Sequence, residues 1–588
     1  MCGVLFEIDD DLCNENKFKC ALDSQSHRGP DGSKYKVLNS GKILIGNNRL
    51  VIVDKVGGTQ PFASPDSKVF ITFNGEIFNS QYLRDSLEKR GVIFQSTHSD
   101  TEVILQMYLN FGINFLDQIN GMFAIIIVDL NLKHAYIIRD RFGIKPIYYK
   151  IEGARKFFAS DLRAIKILSR KNEISTHSIM EFVGMGFISN PDTIYQDITS
   201  LQPASYMDID LESGKSHINI WWTPPLGEYE DISFEESVIL VRHGLIDAVT
   251  RWTTSDYPIA LSLSGGIDSS SIFIACLEAN IEVAPFFMGF KDENLLRWDE
   301  SKIVSSFAEK FGVSYKYVEM SAQDLAQNLS TIVNHLEQPY GGGVPSWKIF
   351  SSMKLSGYRV ALSGTGGDEL FGNYNRGMFL PENVFKNLQS FKSNYLNKSY
   401  KIYPFALSEL FSKNLEELFV DKLFYKAHKY STLDLQKRSA LFDIETQLTD
   451  EFLMMTDKLS MMSSIEARTP FLDHIFFEQV HKIPNHIKNV NGSYKFILKN
   501  AFGDVMPEFL KTAPKKGFSL PLSIWFRGEL REFLTLNILD DEFINFFNLN
   551  KKIIVQTLNS FFSGENSQIL FIWRILMLSM WFNSVHAA

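Results

Sequence analysis

Cysteine is scarce in this chain. Four occur in 588 residues, Cys2, Cys13, Cys20 and Cys276, and none stands in the closely paired Cys-x-x-Cys spacing used by zinc and dithiol sites. That usage excludes a disulfide framework and points to a reducing compartment. Excess positive charge is missing too: Lys+Arg 59 against Asp+Glu 68 gives a net charge of −9, so the surface repels phosphate backbones and nucleic acid is not an expected partner. No apolar run reaches the ~20 residues of a membrane span. The longest, Ile569 to Phe582, carries Arg574 and reads as a buried helix, so no membrane partner is expected. The start, MCGVLFEIDDD, lacks the basic stretch of a secretory leader and the arginines of a transit peptide. The expected setting is cytoplasmic.

What is present is apolar bulk. With 45% hydrophobic and 22% charged residues the composition is that of an ordinary globular protein. At roughly 100 to 200 residues per domain the length predicts two to four domains. The first part, to about residue 165, has short apolar runs at Val4 to Ile8, Val69 to Phe73, Met122 to Val128 and Ala135 to Ile138, which read as strands. Two helical segments lie among them, Gln81 to Gly91 and Asp100 to Gly112, the second with Asp100 placed as its cap. After a polar, proline-bearing linker at Thr223 to Asp231 the rhythm changes. Helices at Phe234 to Trp252, Ser269 to Ala279 and Glu300 to Gly312 alternate with strands at Ile259 to Leu263, Val283 to Phe290 and Tyr358 to Leu362, the pattern of a parallel sheet between helices. Beyond about Leu380 the chain reads as helical, without strands.

The sharpest local feature is Leu261-Ser-Leu-Ser-Gly-Gly-Ile-Asp-Ser-Ser270, where an apolar strand meets a helix. Adjacent glycines and hydroxyls there expose backbone N–H groups at a helix N-terminus, a site for a polyphosphate, with Asp268 available to hold Mg2+. No Gly-Lys-Ser/Thr follows, so this is not the nucleotide loop of that name. A second glycine-rich turn, Leu362-Ser-Gly-Thr-Gly-Gly-Asp-Glu-Leu-Phe-Gly372, follows another strand and offers Asp368 as a second metal carboxylate. Both turns fall at carboxyl ends of parallel strands, where open α/β sheets bind ligands. At the other end, removal of Met1 would leave Cys2 with a thiol and a free α-amine of pKa roughly 7.7 to 8.0, nucleophile and base in one residue.

These strings, with His27-Arg-Gly-Pro-Asp31, Asn48-Arg-Leu-Val-Ile-Val-Asp54, Phe73-Asn-Gly-Glu-Ile-Phe-Asn79, Arg139-Asp-Arg-Phe-Gly-Ile-Lys-Pro-Ile-Tyr148 and Glu466-Ala-Arg-Thr-Pro-Phe-Leu-Asp473, run in an order that resembles glutamine-hydrolysing asparagine synthetases. The resemblance implies an α+β N-terminal αββα sandwich of the N-terminal-nucleophile type, a class II glutamine amidotransferase at 2–205. To it is joined an α/β parallel-sheet ATP-pyrophosphatase domain with a helical C-terminal part at 225–588. It further implies Cys2 as nucleophile, Asn74 and the Gly75 N–H as oxyanion hole, and Arg49, Glu76 and Asp100 as glutamine ligands. Leu263, Ser264, Gly265, Gly266, Asp268, Ser269, Met288, Ser363 and Gly364 look like the ATP cradle. Lys495, within Gly492-Ser-Tyr-Lys-Phe-Ile-Leu-Lys499, resembles the lysine that neutralises the adenylation transition state, with Lys499 its rival in the same string. Glutamine, ATP with Mg2+, and aspartate or another carboxylate are the implied substrates, and a homodimer follows the family's habit.

The chain departs from that pattern on the acceptor side. Thr365 stands where the family's Ser-Gly-Glu-Gly-Ser-Asp-Glu string has its Glu, and a hydroxyl cannot act as a carboxylate base. Glu337-Gln-Pro-Tyr-Gly-Gly-Gly-Val-Pro-Ser-Trp347 is glycine-rich where the family encloses aspartate. Asparagine synthesis is the default expectation, with the same chemistry on a uronic acid or natural-product acid as the alternative, and a non-catalytic binding protein as a third reading disfavoured by the intact Cys2, Arg49, Asn74, Asp268 and Asp368.

Overall fold

The computed structural model describes residues 2–586 except 228, 291–294, 296–300, 373–379, 400–406, 412–415, 491, 492, 494 and 513–519. Met1, Glu300, Gly492 and Tyr494 of the strings above therefore lie outside the described residues.

Two antiparallel six-stranded sheets face each other in the first part of the chain. In one the spatial order is Thr199–Ser200, Tyr148–Glu152, Arg155–Ala159, Cys2–Ile8, Ile43–Arg49 and Gly32–Leu38. In the other it is Ser216–Ile220, Ser205–Asp210, His134–Arg139, Gly121–Asp129, Val69–Ile77 and Phe62–Ala63. Side chains alternate along each strand, so each sheet has two apolar faces to bury. Val4, Phe6, Ile43 and Ile45 of the first sheet pack between the sheets on Phe70, Ile126, Val128 and Ile137 of the second. The outer face of the second sheet, Val69, Ile71 and Phe73, is covered by Val103, Ile104 and Met107 of the Asp100–Phe111 helix. Leu5 and Leu44 on the outer face of the first sheet meet Phe18 and Leu22 of the Glu15–Asp23 helix. The four layers are the expected αββα sandwich.

Three helices of this part escape the sequence pattern, Glu15–Asp23, Leu162–Leu168 and Thr176–Met185. One expectation needs correcting. Ser99 occupies the cap position of the Asp100–Phe111 helix and Asp100 is its first residue, with the carboxylate accepting the Ile77 N–H of the neighbouring strand rather than capping its own helix.

The second part is a five-stranded parallel sheet in the order Lys316–Glu319, Val283–Gly289, Ile259–Ser262, Val360–Leu362 and Glu466–Arg468. Helices at Phe234–Trp252, Ile267–Glu278 and Ser301–Phe311 occur within two residues of their expected bounds. The strand Glu466–Arg468 overturns the reading of a strand-free chain beyond Leu380. Its charged residues are buried because they pair with one another and across the molecule.

The parts share one buried boundary. Arg28, fully buried, pairs with Asp161 at 3.1 Å and Asp457 at 2.7 Å, and Lys458 bridges Asp161 and Glu337 at 3.4 and 2.6 Å. Asp473 takes a bidentate pair from Arg251 and a 2.8 Å bond from Asn120. Helix Ile569–His586 is the one described helix long and apolar enough to cross a membrane, and 67% of that apolar window is buried inside the protein. Arg574 on it donates to the carbonyls of Val183, Gly184 and Met185 at 3.1, 2.6 and 3.1 Å, capping the end of the Thr176–Met185 helix.

Candidate active site

Cys2 opens the first strand and stands directly opposite Arg49 in the antiparallel ladder. Its backbone N–H donates to Asn74 Oδ1 at 3.0 Å, a bond that ties one sheet to the other. The Nδ2 of the same amide is buried without a hydrogen-bond partner. An unsatisfied buried donor costs roughly 1–3 kcal/mol, and it marks a place prepared for an acceptor the protein does not supply. Gly75 follows at φ +153°, where an added Cβ would lie 2.0 Å from the Met122 carbonyl oxygen, so only glycine fits this strand position.

The pocket beside the thiol is lined by Cys2, Arg49, Gln60, Gly75, Glu76, Asp100 and Thr101. The Arg49 fork donates to the carbonyls of Lys55, Val53 and Asp54 at 3.0, 3.2 and 2.6 Å and so holds the loop over the pocket. Two acids close the far wall. Burial pushes Asp100 up to about 6 against the Ile77 N–H it accepts. Burial and the neighbouring Asp100 charge push Glu76 well above the ordinary carboxylate range, and Arg468 opposes them. Glu76 Oε2 takes a 3.5 Å bond from Arg468, while Oε1 is buried without a partner.

The second cluster forms where the parallel strands end. Leu263 donates its N–H to Phe286 at 2.9 Å as the chain leaves the sheet, and Gly265 turns it at φ +71°. The Ser269 hydroxyl accepts the Ser264 N–H at 3.1 Å and donates to the Gly266 carbonyl at 3.2 Å, which shapes the turn ahead of the Ile267–Glu278 helix. The N-terminal turn of that helix carries Asp268. Ser363, at the end of the adjacent strand, donates its N–H to Arg468 O at 2.8 Å, and its hydroxyl lies 2.9 Å from that of Thr365. Gly364 and Gly367 let the two turns meet: an added Cβ would lie 3.0 Å from Asp268 Cβ at the first and 2.7 Å from Asp268 Oδ1 at the second. Met288 sits buried on the neighbouring Val283–Gly289 strand.

Of the two lysines, Lys495 is the one that the structure brings to the carboxylates. Its ammonium contacts both Asp268 oxygens and lies 2.6 Å from Asp368 Oδ1, whereas the Lys499 pKa falls through burial and the repulsion of Lys495. Burial works against the Lys495 charge, but Asp268 and Asp368 outweigh it and hold its pKa above the usual lysine value. Two carboxylates converging on one point are an all-oxygen donor set suited to a hard divalent cation such as Mg2+.

Sequence reading misses two residues of these sites. Gln60 accepts the Phe73 N–H at 2.6 Å and donates to Thr101 at 3.3 Å, with its amide nitrogen 4.0 Å from the Cys2 sulfur. Only the turn string Gly57-Gly-Thr-Gln60 hints at it. Arg468 belongs to a recognised string but carries no local sign that it reaches Glu76.

Comparison with known proteins finds two families along the chain. Residues 1–222 match the family model described as a glutamine amidotransferase domain, and residues 240–583 match asparagine synthase. The chain is 29% identical to asparagine synthetase [glutamine-hydrolyzing] 1 of Bacillus subtilis (strain 168), covering 94% of this chain and 91% of that protein. It is 29% identical to asparagine synthetase [glutamine-hydrolyzing] 3 of the same organism, over 86% and 85%. It is also 25% identical to the amidase chyE of Penicillium rubens, over 87% of this chain and 85% of that protein.

Proposed function

Because the chain belongs to the asparagine synthase family, a family of glutamine-hydrolysing, ATP-dependent ligases, we propose that residues 2–205 release ammonia from glutamine and residues 225–588 spend it on an adenylated carboxylate. Cys2, freed of Met1, attacks the glutamine side-chain amide with its own α-amine as base. Asn74 Nδ2 and the Gly75 N–H receive the developing oxyanion. Arg49 takes the glutamine α-carboxylate, and Glu76 with Asp100 takes the α-ammonium. Ammonia leaves, the thioester is hydrolysed by one water, and glutamate departs.

In the second half Leu263, Ser264, Gly265, Gly266, Asp268, Ser269, Met288, Ser363 and Gly364 hold ATP. Asp268 and Asp368 are the residues that would hold Mg2+, which when bound shields the polyphosphate charge. Lys495 offsets charge as an acceptor carboxylate oxygen forms its bond to the α-phosphorus and the α–β anhydride breaks. Pyrophosphate departs; ammonia then displaces AMP from the acyl carbon and gives the amide. A cytoplasmic setting suits these metabolites.

The observation that carries the reading is the pairing, in one chain, of the orphan Asn74 Nδ2 beside Cys2 with the Asp268, Asp368 and Lys495 cluster. Aspartate is the acceptor favoured by the family. The test supplies protein with a processed N-terminus, Mg-ATP, glutamine and L-aspartate, and quantifies asparagine, AMP and pyrophosphate against a reaction without aspartate. Asparagine and AMP in equal amounts support it, and absence of glutamate release sinks the amidotransferase assignment. Thr365, whose hydroxyl pairs with Ser363 in place of an acidic side chain, favours a second reading in which another carboxylate is amidated. Glutamate release without asparagine would favour that one.

A further inference from the structure

We propose that Arg468 is a positioning residue that presents the free oxygen of Glu76 to glutamine and mechanically joins the glutamine pocket to the ATP turn. The proposal rests on the glutaminase reading above. Arg468 is fully buried at the end of the last strand of the parallel sheet. Four of its five N–H groups are engaged: Nε donates to Glu466 at 2.6 Å, Nη1 to the carbonyls of Trp252 and Thr254 at 2.8 and 2.7 Å, and Nη2 to Glu76 Oε2 at 3.5 Å. The fork also lies over the Phe78 ring at 5.3 Å, and Phe78 stacks on Trp252 at 4.2 Å. These contacts tie the side chain to its own strand through Glu466 and to the chain after the Phe234–Trp252 helix through Trp252 and Thr254.

Two consequences follow from where its partners sit. Glu76 is left with one oxygen on Arg468 and the other, Oε1, buried without a partner at the wall of the Cys2 pocket. That second oxygen is the one free to meet an ammonium. At the other end the Arg468 carbonyl accepts the Ser363 N–H at 2.8 Å, across the parallel pair in which Leu362 stands opposite Arg468. A single residue therefore touches the wall of one site with its side chain and the turn of the other with its backbone. Ordering of the Ser363 turn by ATP restrains the guanidinium, and with it the Glu76 carboxylate. Linkage then requires glutamine to tighten ATP by the same factor.

The charged groups facing Glu76 are Asp100 from the neighbouring helix and Arg468 and Glu466 from the strand. Removing Arg468 removes a positive charge that favours ionised Glu76, so glutamine binding should weaken most at low pH. The test uses the full-length chain as Arg468→Met and Arg468→Lys, with glutaminase kinetics from pH 6 to 9. Binding of a non-hydrolysable ATP analogue is measured by calorimetry with and without glutamine, in a Cys2→Ala background that binds without turnover. For Arg468→Met, KM for glutamine at pH 7 should rise about tenfold, because the lost positive charge no longer favours the ionised Glu76 carboxylate, and recover as the pH is raised, with kcat little changed. Arg468→Lys should restore most of that KM. Glutamine should tighten the analogue about fivefold in the parent and not in Arg468→Met. A loss confined to kcat, or equal glutamine–analogue coupling in all chains, overturns the proposal. Should Arg468→Met fail to fold, coupling in Arg468→Lys decides, because one ammonium cannot span both Glu466 and Glu76: coupling at the parent level refutes it. A Cys2→Ala chain that still hydrolyses glutamine would instead sink the glutaminase reading, whatever Arg468 does.

Discussion

Replacing Asn74 by alanine tests the chemistry of the first site most directly. The side chain does two separable things in the structure: Oδ1 accepts the Cys2 N–H at 3.0 Å, and Nδ2 is a buried donor without a partner. Loss of Oδ1 orphans one buried N–H, which costs about 1–3 kcal/mol of stability. Loss of Nδ2 removes one of two oxyanion donors, for which about 10²–10³ in kcat is the measured scale elsewhere, or roughly 2.7–4 kcal/mol of barrier. The donor is engaged only when charge develops on the amide oxygen, so the loss belongs in kcat and leaves KM for glutamine nearly unchanged. The assay is glutamate release at saturating and sub-saturating glutamine. Retained affinity of the second half for an ATP analogue certifies that the chain is folded. A kcat loss below tenfold, or one carried by KM instead, would refute the oxyanion assignment and make Asn74 a structural tie between the sheets.

Other perturbations separate the two halves. Cys2→Ala is expected to abolish glutamine use while synthesis from added ammonia persists, read as AMP formation; loss of both would contradict the division of labour. Asp268→Asn removes one of the two carboxylates facing Lys495 and is expected to stop AMP formation with basal glutaminase intact, checked by assaying both products in one reaction. Asp100 loses its charge as the pH falls through about 6, and burial beside Asp100 raises Glu76 well above the ordinary carboxylate range, so KM for glutamine should climb as the pH falls; a flat profile between pH 5 and 7 would argue against both acids as ammonium partners. Arg28→Met strands Asp457 and Asp161 in the buried boundary, although Lys145 and Lys458 still face them. We expect about 3 kcal/mol of destabilisation in urea denaturation, and less than 1 kcal/mol would mean the network carries little.

Local chemistry is what sequence makes legible here. The strand, glycine turn and helix from Ile259 to Glu278 can be read directly, because four apolar residues, two glycines and a hydroxyl-rich helix start are all neighbours in the chain. Glu466–Arg468 cannot. It is a three-residue strand with charges at both ends, and its burial depends on Glu76, 392 positions away from Arg468. Hydropathy sees two exposed charges where the fold has neutralised a pair. The Glu15–Asp23 helix is hidden for the opposite reason: only Phe18, Ala21 and Leu22 face inward, too few for a convincing stripe. Lys495 and Lys499 are equivalent in the string, and their separation arises from backbone shape. Lys495 sits in the left-handed region at φ +53°, with its N–H held by Asn489 at 3.1 Å just before the Phe496–Ala501 helix begins. Asp100 is legible as a helix start but not as the acceptor of a strand N–H.

The arginine of the last helix bears on how the chain is made. The carbonyls of Val183, Gly184 and Met185 await Arg574, which lies 389 residues beyond Met185. At elongation rates of about 5–20 residues per second, a ribosome needs roughly 20–80 s to cover that distance. For that interval the N-terminal layers have emerged while the helix end and apolar surface that meet the final segment stand bare. The Thr176–Met185 helix thus gains the cap on its last turn only when the final helix has been made. Transplanting the glutaminase layers onto another synthetase would leave those three carbonyls without Arg574 unless the C-terminal helix were carried with them.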